Sequence, residues 1–457
     1  MMHLLRCKTP TAVRVLDLAL PLAAIEDLAD YAACEVFVFK SDQLLGKVHI
    51  DNLYQNLSAH RLSDAIAEQL FLLLAADATG QGHDRQEDLL SAVVPALATG
   101  PASAKLPDDV TVSVVVATFD RPEQLRGCLH CLRSQISPRL VEIVVVDNHP
   151  ASGLTAPIVA EFPGIVLVNE PRQGLAYARN AGFVNSRGSI LIATDDDVTM
   201  PPDWIERLVV PFSRPEVGAV TGNVLPLELE SEAQCLFEAY GGLGRGFGPV
   251  EADTKWFTRS KRHAAPTWKL GATANAAFRA TMVQDPRIGL MDEALGPGMP
   301  SGVGEDTYLF YKIIKAGFTL VYVPTAFVWH THRKDMAALR RQIYNYSKGH
   351  VSYHLTTLLR DGDWRVIHHL LWDLPKAYLN RIKRRLRGRS VYPVRLILLE
   401  IRGNLAGPYC LWLSRRRVRR EGKSEFPPSP GRIECPATET NRTSGNSHGR
   451  APADPAI

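Results

Sequence analysis

The distribution of apolar residues along the chain changes near residue 111. From there, short apolar runs alternate with segments of helical periodicity, and the runs fall at 111–117, 141–146, 164–168 and 189–193. Strands that are apolar on both faces and alternate with helices are typical of a parallel sheet covered on both sides. The pattern therefore predicts an α/β domain in which helices sandwich a mostly parallel sheet.

The regions that flank this domain have other patterns. Three strand-like runs and a helix near 62–74 predict a small N-terminal α/β or α+β unit of unknown role. Helical periodicity after residue 332 predicts helices, and the final residues, rich in Pro, Ser, Thr and Gly, predict disorder. The N-terminal unit, linker, α/β domain, helical region and tail are expected at 1–100, 101–110, 111–332, 333–420 and 421–457.

Positive charge is concentrated in the last predicted helices. The 457 residues have a formal net charge of only +4, yet residues 381–420 contain thirteen Lys or Arg against one Glu. Three interpretations are a solvated helix face, an anionic membrane surface bound through residues 364–420, and nucleic acid. Interleaved Trp, Tyr and Leu favour the membrane surface, and the absence of a recognition motif disfavours nucleic acid.

The sequence predicts neither a signal peptide nor a transmembrane helix. The N-terminus lacks an apolar core with a small-residue cleavage site, and no segment reaches ~18 uninterrupted apolar residues. Seven cysteines in so long a chain do not indicate a disulfide framework. We therefore expect a cytoplasmic protein that is peripheral on the inner face of the plasma membrane.

Polar residues follow the predicted strands, where a parallel sheet binds its ligand. These residues are Thr118 and Asp120, Asp147, Asn169 and Glu170, and Asp195, Asp196 and Asp197. Three adjacent acids repel one another unless a cation or hydrogen bonds compensate. Because Mg²⁺ and Mn²⁺ take carboxylate and phosphate oxygens, the acids predict a site for a metal-bound diphosphate. A solvated turn before the next helix is the alternative.

Five motifs in this order resemble those of the inverting family 2 glycosyltransferases, which have the nucleotide-sugar-binding GT-A fold. The resemblance covers roughly residues 111–332, and the motifs read VSVVVATFDRP, VEIVVVDN, RQGLAYARNAG, ILIATDDDVTMPPDW and GEDTYLFYKIIKAGF. Each motif alone is common, whereas five in sequence order are specific. The resemblance implies the GT-A form of the predicted α/β fold.

The resemblance also implies residue roles in binding a nucleotide-sugar donor. The implied donor-binding residues are Thr118, Asp120, Asp147, Gly174, Arg179, Asn180, Asp195 and Asn275. Asp196 or Asp197 would bind a divalent metal, Mn²⁺ or Mg²⁺, and a late histidine, His330, would join them. Imidazole suits Mn²⁺ better than Mg²⁺. The register of the acids stays open, and a structural role is the alternative for Arg179, Asn275 and His330.

The last motif implies the residues that act on the acceptor. By the resemblance, Asp306 is the general base that takes the acceptor proton, and Glu305 orients or binds the acceptor. The alternative is that both acids only favour the N-terminus of the helix they begin. Residues 225–304, which read as largely irregular with a glycine-rich stretch at 241–248, are expected to recognise the acceptor.

The sequence thus predicts a metal-dependent glycosyltransferase that moves one sugar per encounter. The acceptor would be a glycan, a lipid-linked molecule or a similar one, in cell-surface polysaccharide or glycolipid synthesis. The Gln-x-x-Arg-Trp element and long membrane helices of polymer-making relatives are missing from the sequence. The alternatives are a sugar nucleotidyltransferase and a non-catalytic protein that binds nucleotide or polyanion on the same fold.

Overall fold

The structure is a computed structural model, and it describes residues 10–40, 43–77, 106–388, 390 and 392–426. Residues 101–105 of the predicted linker and the tail from residue 427 onward lie outside the described residues. The expected N-terminal unit is a three-stranded sheet of β1 (Thr11–Asp17), β2 (Ala33–Lys40) and β3 (Gln43–Asp51), followed by α1 (Ala59–Asp77). β1 and β2 are parallel, whereas β2 and β3 are antiparallel.

A nine-stranded sheet forms the centre of the molecule. Its strands are β4 (Val112–Thr118), β5 (Val141–Asp147), β6 (Val166–Asn169), β7 (Ile190–Asp195), β8 (Val198–Thr199), β9 (Val217–Pro226), β10 (Val250–Ala252), β11 (Asn275–Arg279) and β12 (Thr319–His330). The order is β10-β12-β9-β11-β7-β4-β5-β6, and β8 pairs with β12. Strands β7, β4, β5 and β6 are mutually parallel, as the apolar runs predict, while β11 is antiparallel to both of its neighbours.

Helices cover this sheet and extend beyond it. Those up to the end of the sheet are α2 (Pro122–Arg133), α3 (Thr155–Ala160), α4 (Leu175–Asn185), α5 (Trp204–Val209), α6 (Glu232–Tyr240), α7 (Thr254–Thr258), α8 (Ala280–Gln284) and α9 (Glu305–Lys315). The C-terminal ones are α10 (Met336–Asp361), α11 (Arg365–His368), α12 (Leu374–Leu386) and α13 (Val394–Glu421). Apolar side chains of the covering helices pack on strands that are buried on both faces, such as β4 and β9. The α/β prediction is therefore confirmed.

The strand register brings the polar strand ends together. Thr118 pairs with Asp147, Asp147 pairs with Asn169, and Asp195 pairs with Ala117. All four strands run in the same direction, so their carboxyl ends share one edge of the sheet. The sheet thereby gathers side chains that lie far apart in the sequence.

Two details of the chain differ from the sequence prediction. The segment expected to be largely irregular contains α6, β10 and α7. The helix expected over 364–388 is divided by a π-helical turn at residues 369–373. Pro375 follows this turn, and because proline has no N–H, it cannot donate the hydrogen bond that an α-helix would direct to residue 371. No described helix is both long and apolar enough to span a bilayer.

The long C-terminal helices pack closely on one another. Gly403 and Gly407 lie one turn apart on α13 and face α10. A Cβ atom at Gly403 would stand 2.7 Å from the Cβ atom of Ser347, and one at Gly407 would stand 2.8 Å from that of Val351. The two small residues therefore permit a helix contact that larger ones would push apart.

Candidate active site

A cavity of about 1160 Å³ lies at the carboxyl edge of the sheet. Its walls come from the ends of β4 and β7, the glycine-rich residues 241–245, the start of α9 and one side of α10. The described residues thus form a space large enough for a nucleotide-sugar, with both acidic motifs on its surface.

Asp196 lies at the floor of the cavity and is only 4% exposed. Its Oδ2 accepts a hydrogen bond from the Thr118 hydroxyl at 2.7 Å, and its Oδ1 accepts one from Arg121 at 3.1 Å. Burial raises the pKa of Asp196 to about 6, the Asp197 charge raises it further, and Arg121 opposes both. The carboxylate is therefore held in place while it remains short of positive charge.

Asp197 is the acid with free coordinating capacity. Arg121 donates to its Oδ2 at 2.8 Å, but within the described part of the chain its buried Oδ1 has no hydrogen-bond partner. The Nε2 atom of His330 lies 3.5 Å from that oxygen, while the Nδ1 atoms of His330 and His332 are 2.9 Å apart. Burial lowers the pKa of His330, so the ring is favoured in its neutral form, which can bind a metal. His332 in turn contacts Glu238 at 2.9 Å through Nε2.

Arg179 links the two acidic motifs and is almost completely buried. It donates to Asp195 Oδ1 at 2.6 Å and to Glu305 Oε1 at 3.2 Å, and a third hydrogen bond goes to the Thr273 hydroxyl. The guanidinium therefore joins the end of β7 to the start of α9. The terminal nitrogens of Arg179 thus donate to two protein acids and one hydroxyl, which makes Arg179 a positioning residue in this structure.

Glu305 and Asp306 begin α9 in different environments. Glu305 is 3% exposed, and its Oε2 accepts a hydrogen bond from the Gly304 amide at 3.0 Å. Burial raises the pKa of Glu305 to about 7, the Asp306 charge contributes further, and Arg179 opposes the rise. Asp306 is half-buried at the cavity, and its Oδ1 accepts from the Thr307 amide at 2.6 Å. Its Oδ2 accepts no hydrogen bond from the described residues, so this oxygen is free to take a proton.

The approach of α10 fixes the position of these acids. Gly349 on α10 packs directly against the backbone of Val303, and even a methyl group there would overlap the Val303 carbonyl. Gly304 has φ +127, a conformation that residues with a side chain rarely adopt. Both glycines are therefore required for the turn that presents Glu305 and Asp306 to the cavity.

The ends of β4 and β5 form the side of the site predicted to hold the nucleotide base. Phe119 is 43% exposed and stacks on His149 with ring centroids 5.1 Å apart. His149 contacts Asp120 Oδ2 through Nδ1 at 2.7 Å, and its amide donates to Asp147 Oδ1 at 2.9 Å. Phe119 lines the cavity, whereas Asp120 and Asp147 lie behind it and hold His149.

Gly174 also borders the cavity, as predicted for the third motif. Its φ of +148 favours glycine, and its amide donates to Asn148 Oδ1 at 2.8 Å. The turn that starts α4 is therefore fixed beside the end of β5. Its contact with the donor stays a prediction.

Two residues predicted to bind the donor have structural roles instead. The Asn180 amide donates to the Met291 carbonyl and to Glu293 Oε1, both at 3.0 Å, and its oxygen accepts from the Met291 amide at 2.9 Å. All its hydrogen-bonding atoms thus hold the 291–293 segment, and Asn180 does not line the cavity. This corrects its assignment to the donor pocket.

Asn275 is the second correction. It is completely buried in β11, where its amide donates to the carbonyls of Asn223 and Ala326 at 2.8 and 2.9 Å. Its oxygen accepts from the Trp204 indole at 2.9 Å. The side chain therefore joins three parts of the core and presents no polar atom to the cavity.

Arg121 and Arg245 are two of the arginines that line the cavity and were not predicted as site residues. Arg121 bridges Asp196 and Asp197, and it directly follows Asp120 in the first motif. Arg245 lies in the glycine-rich stretch, where it donates to the Gly244 carbonyl at 2.9 Å while its buried Nε has no partner. A basic residue next to a strand-end acid, or within a glycine-rich stretch, is the sequence signal that could have identified them.

Comparisons with known proteins show similarity to one family of glycosyltransferases. Residues 113–233 match the sequence model of the family described as Glycosyl transferase family 2. The curated Glycosyltransferase AglE of Haloferax volcanii is 27% identical over 288 residues, which cover 60% of this chain and 85% of that protein. The Succinoglycan biosynthesis protein ExoM of Rhizobium meliloti is 27% identical over 240 residues, which cover 50% of this chain and 69% of that protein.

Further similarities reach over shorter or more divergent stretches. The Pre-mycofactocin glycosyltransferase of Mycobacterium tuberculosis is 25% identical over 254 residues, which cover 54% of this chain and 48% of that protein. A solved structure of the mannosyltransferase PcManGT from Pyrobaculum calidifontis, in complex with GDP-Man and Mn²⁺, is 18% identical with a TM-score of 0.44. That alignment covers 76% of this chain and 99% of the other. The family match and the curated relatives confirm the family 2 resemblance, and the chain is a glycosyltransferase.

Proposed function

We propose that this protein is a metal-dependent, inverting glycosyltransferase that moves one sugar from a nucleotide-sugar donor to a glycan, lipid-linked or similar acceptor. The observation that carries the proposal is the pairing of two acidic motifs across one cavity. Asp196 and Asp197 stand at the end of β7, and Asp306 stands free at the start of α9. One motif has the chemistry to hold a metal-bound diphosphate, and the other has the chemistry to take a proton.

The acid cluster fits a divalent cation. Asp197 offers a buried oxygen without a hydrogen-bond partner, and the neutral His330 ring lies close to it. Asp196 can join them because it is already held by Thr118. An oxygen-rich set with one imidazole suits Mn²⁺, and Mg²⁺ less well. When bound, the ion would stabilise the negative charge that develops on the leaving nucleoside diphosphate.

The protein's own residues would perform the rest of the transfer. Asp306 Oδ2 would accept the proton of the acceptor hydroxyl while that hydroxyl attacks the anomeric carbon. Glu305 and Arg179 would keep Asp306 aligned with the donor end of the cavity, since they tie α9 to β7. Phe119 would offer an exposed aromatic face to the nucleotide base. A single base on one face of the sugar is what an inverting reaction requires.

The C-terminal helices support a lipid-linked acceptor at an anionic membrane surface. Trp372, Leu379 and Leu386 are exposed and recur every seven residues, which places them on one side of α12 and the turn before it. The exposed Lys376 and Lys383 lie between them. A second exposed set with the same spacing lies on α13, at Leu398, Leu405 and Trp412. Apolar residues flanked by lysines are typical of helices that lie in a membrane interface.

The relative named as a succinoglycan biosynthesis protein supports a role in cell-surface polysaccharide synthesis, and glycolipid synthesis fits the exposed helices equally well. A position on the cytoplasmic face of the plasma membrane would bring the acceptor to the cavity.

The test is a screen of the purified full-length protein against UDP-, GDP- and dTDP-sugars, with and without Mn²⁺ or Mg²⁺. We expect metal-dependent release of one nucleoside diphosphate, abolished by Asp197→Asn. Asp285→Asn, which changes a surface acid paired with Arg287, is the control and should retain activity. Formation of a nucleoside triphosphate when pyrophosphate is added to the donor would indicate a nucleotidyltransferase. Nucleotide binding without turnover of any donor would indicate a binding protein.

A further inference from the structure

A second group of potential metal ligands lies outside the acid cluster. His350 and His354 are one turn apart on α10, and His369 lies in the π-helical turn that follows α11. Their ligand nitrogens all lie within 4.8 Å of one another, and the Nε2 atoms of His350 and His369 are 2.9 Å apart. Two helix residues at i and i+4 with a third from a neighbouring turn form a common arrangement for a bound ion.

His354 is the residue that points to a missing ligand. Its side chain is completely buried, and neither ring nitrogen has a hydrogen-bond partner among the described residues. A buried polar group without a partner destabilises the folded state. Two such nitrogens on one ring, facing two further imidazoles, are explained if a cation binds between the rings.

The surroundings of the three histidines match those of a metal centre. Asp373 Oδ2 lies 3.8 Å from His369 Nδ1, so the ring can turn its Nε2 toward the other histidines. A carboxylate that contacts the other ring nitrogen of a ligating histidine commonly fixes the orientation of that ring. The Trp268 ring packs against all three imidazoles, with centroids 5.2 to 5.5 Å away, and shields them from solvent.

The donor set selects the class of ion. Three imidazole nitrogens without a carboxylate in direct contact suit Zn²⁺ and related transition metals, not Mg²⁺ or Ca²⁺. Ligands at about 2.1 Å from a tetrahedral ion lie roughly 3.4 Å apart, so small ring rotations would bring the three nitrogens onto one zinc ion.

We propose that His350, His354 and His369 bind a zinc-class ion, separate from the cation at the acid cluster. The ion fastens α10 to the turn before α12. His350 and Trp268 border the same cavity as Asp306, so the ion orders part of the wall of that cavity. The remaining coordination position is open to water or to a group of a bound molecule.

A neighbouring group, His263, His368 and Asp373, is the competing location. Its members are more exposed, and Asp373 already contacts His263 at 2.9 Å and His368 at 3.3 Å. His263 and His368 therefore share Asp373 as a polar partner, whereas the ring nitrogens of His354 have no hydrogen-bond partner in the described part of the chain. The pair of clusters supplies a matched control, because a variant of His368 leaves the three proposed ligands in place.

The experiment measures metal bound to the full-length protein in the Asp197→Asn background, which removes a ligand of the acid cluster. After equilibration with zinc and removal of the excess, we expect one zinc per chain by elemental analysis. His354→Ala and His369→Ala should lose it, and His368→Ala should retain it. The thermal midpoint should rise with zinc and not with magnesium. Cobalt in place of zinc should give visible ligand-field absorption that the His354 variant lacks.

Three outcomes would overturn the proposal. They are no zinc in the parent protein, zinc retained by both ligand variants, and zinc lost in His368→Ala but kept in His354→Ala. If circular dichroism shows that the buried His354 variant does not fold, zinc content is measured in His350→Gln instead. His350 is a half-buried ligand, and this variant should also lose zinc. The readout is metal content, so the result is independent of whether the protein transfers a sugar.

Discussion

The substitution Glu305→Gln tests whether burial controls the charge of the acid beside the proposed base. Glu305 is almost fully enclosed, with Arg179 on one oxygen and the Gly304 amide on the other. Burial is the main cause that raises its pKa from 4.5 to about 7. Glutamine has nearly the same shape as glutamate but does not titrate. The variant therefore abolishes proton binding at this position while preserving the packing.

The direction and size of the effect follow from proton binding. Between pH 4.5 and 7 the folded protein holds a proton on Glu305 that the unfolded chain releases, so wild-type stability falls as the pH rises through this window. The difference between the two pKa values corresponds to roughly 3 kcal/mol. The glutamine variant does not lose this stability as the pH rises, because glutamine does not titrate. The variant should therefore gain roughly 3 kcal/mol relative to the wild type between pH 4 and pH 8.

Urea unfolding of both proteins across this pH range, without divalent metal, measures the difference. A pH-independent difference in stability is expected as well. The glutamine NH₂ group must face either Arg179 or the Gly304 N–H, and both of these are donors. Asp196 titrates in both proteins, so its contribution cancels. Parallel stability curves would refute the reasoning, since Glu305 would then carry its charge in the folded protein at every pH tested.

Asp335→Asn provides a control of opposite sign. The amides of Ala338 and Ala337 donate to Asp335 at the start of α10 and lower the pKa of that carboxyl. Its stabilising effect is present above the ordinary value of 3.8 and is lost as the pH falls. This variant should therefore lose more stability relative to the wild type at neutral pH than in acid.

Three further predictions concern the base, the bridging arginine and the membrane face. Asp306→Asn should lower kcat by about 10²–10⁴ and leave donor affinity unchanged, because asparagine still accepts a hydrogen bond from Thr307 but takes no proton. Steady-state kinetics measures kcat, and donor titration measures the affinity. Arg179→Gln leaves two acids without their buried partner and should cost about 3–5 kcal/mol in urea unfolding. Leu379→Glu should reduce co-sedimentation with anionic vesicles several-fold, whereas unchanged binding would exclude α12 from the membrane contact.

The strand ends could be predicted from the sequence because their signal is local. A continuous apolar run followed by acids indicates a buried strand with its ligand edge, and β4, β5 and β7 lie where the runs predicted them. The position of Asp195, Asp196 and Asp197 at the cavity could therefore be predicted from the sequence. The same holds for Glu305 and Asp306, since the helical pattern that follows them fixes the start of α9.

The partners of buried amides could not be predicted in this way. Asn180 and Asn275 look like site residues because they lie within or beside the motifs, yet their hydrogen bonds go to residues 51 to 113 positions away. The π-helical turn depends on the missing N–H of Pro375, which periodicity alone does not reveal. His350 and His369, in turn, become neighbours only because the chain turns back after α10.

The balance of charge at the acid cluster explains why a metal should precede the donor. Four carboxylates, those of Asp195, Asp196, Asp197 and Glu305, share two guanidinium groups, those of Arg121 and Arg179. Burial is the main cause of the raised pKa of Asp196, and the neighbouring charge of Asp197 raises it further. A nucleotide diphosphate would add further negative charge to the same place, so its binding without a metal is opposed by repulsion that the low-polarity surroundings strengthen. A divalent cation bound first would neutralise the excess negative charge of the cluster. Donor affinity should therefore depend steeply on metal concentration, whereas metal affinity should be measurable without donor.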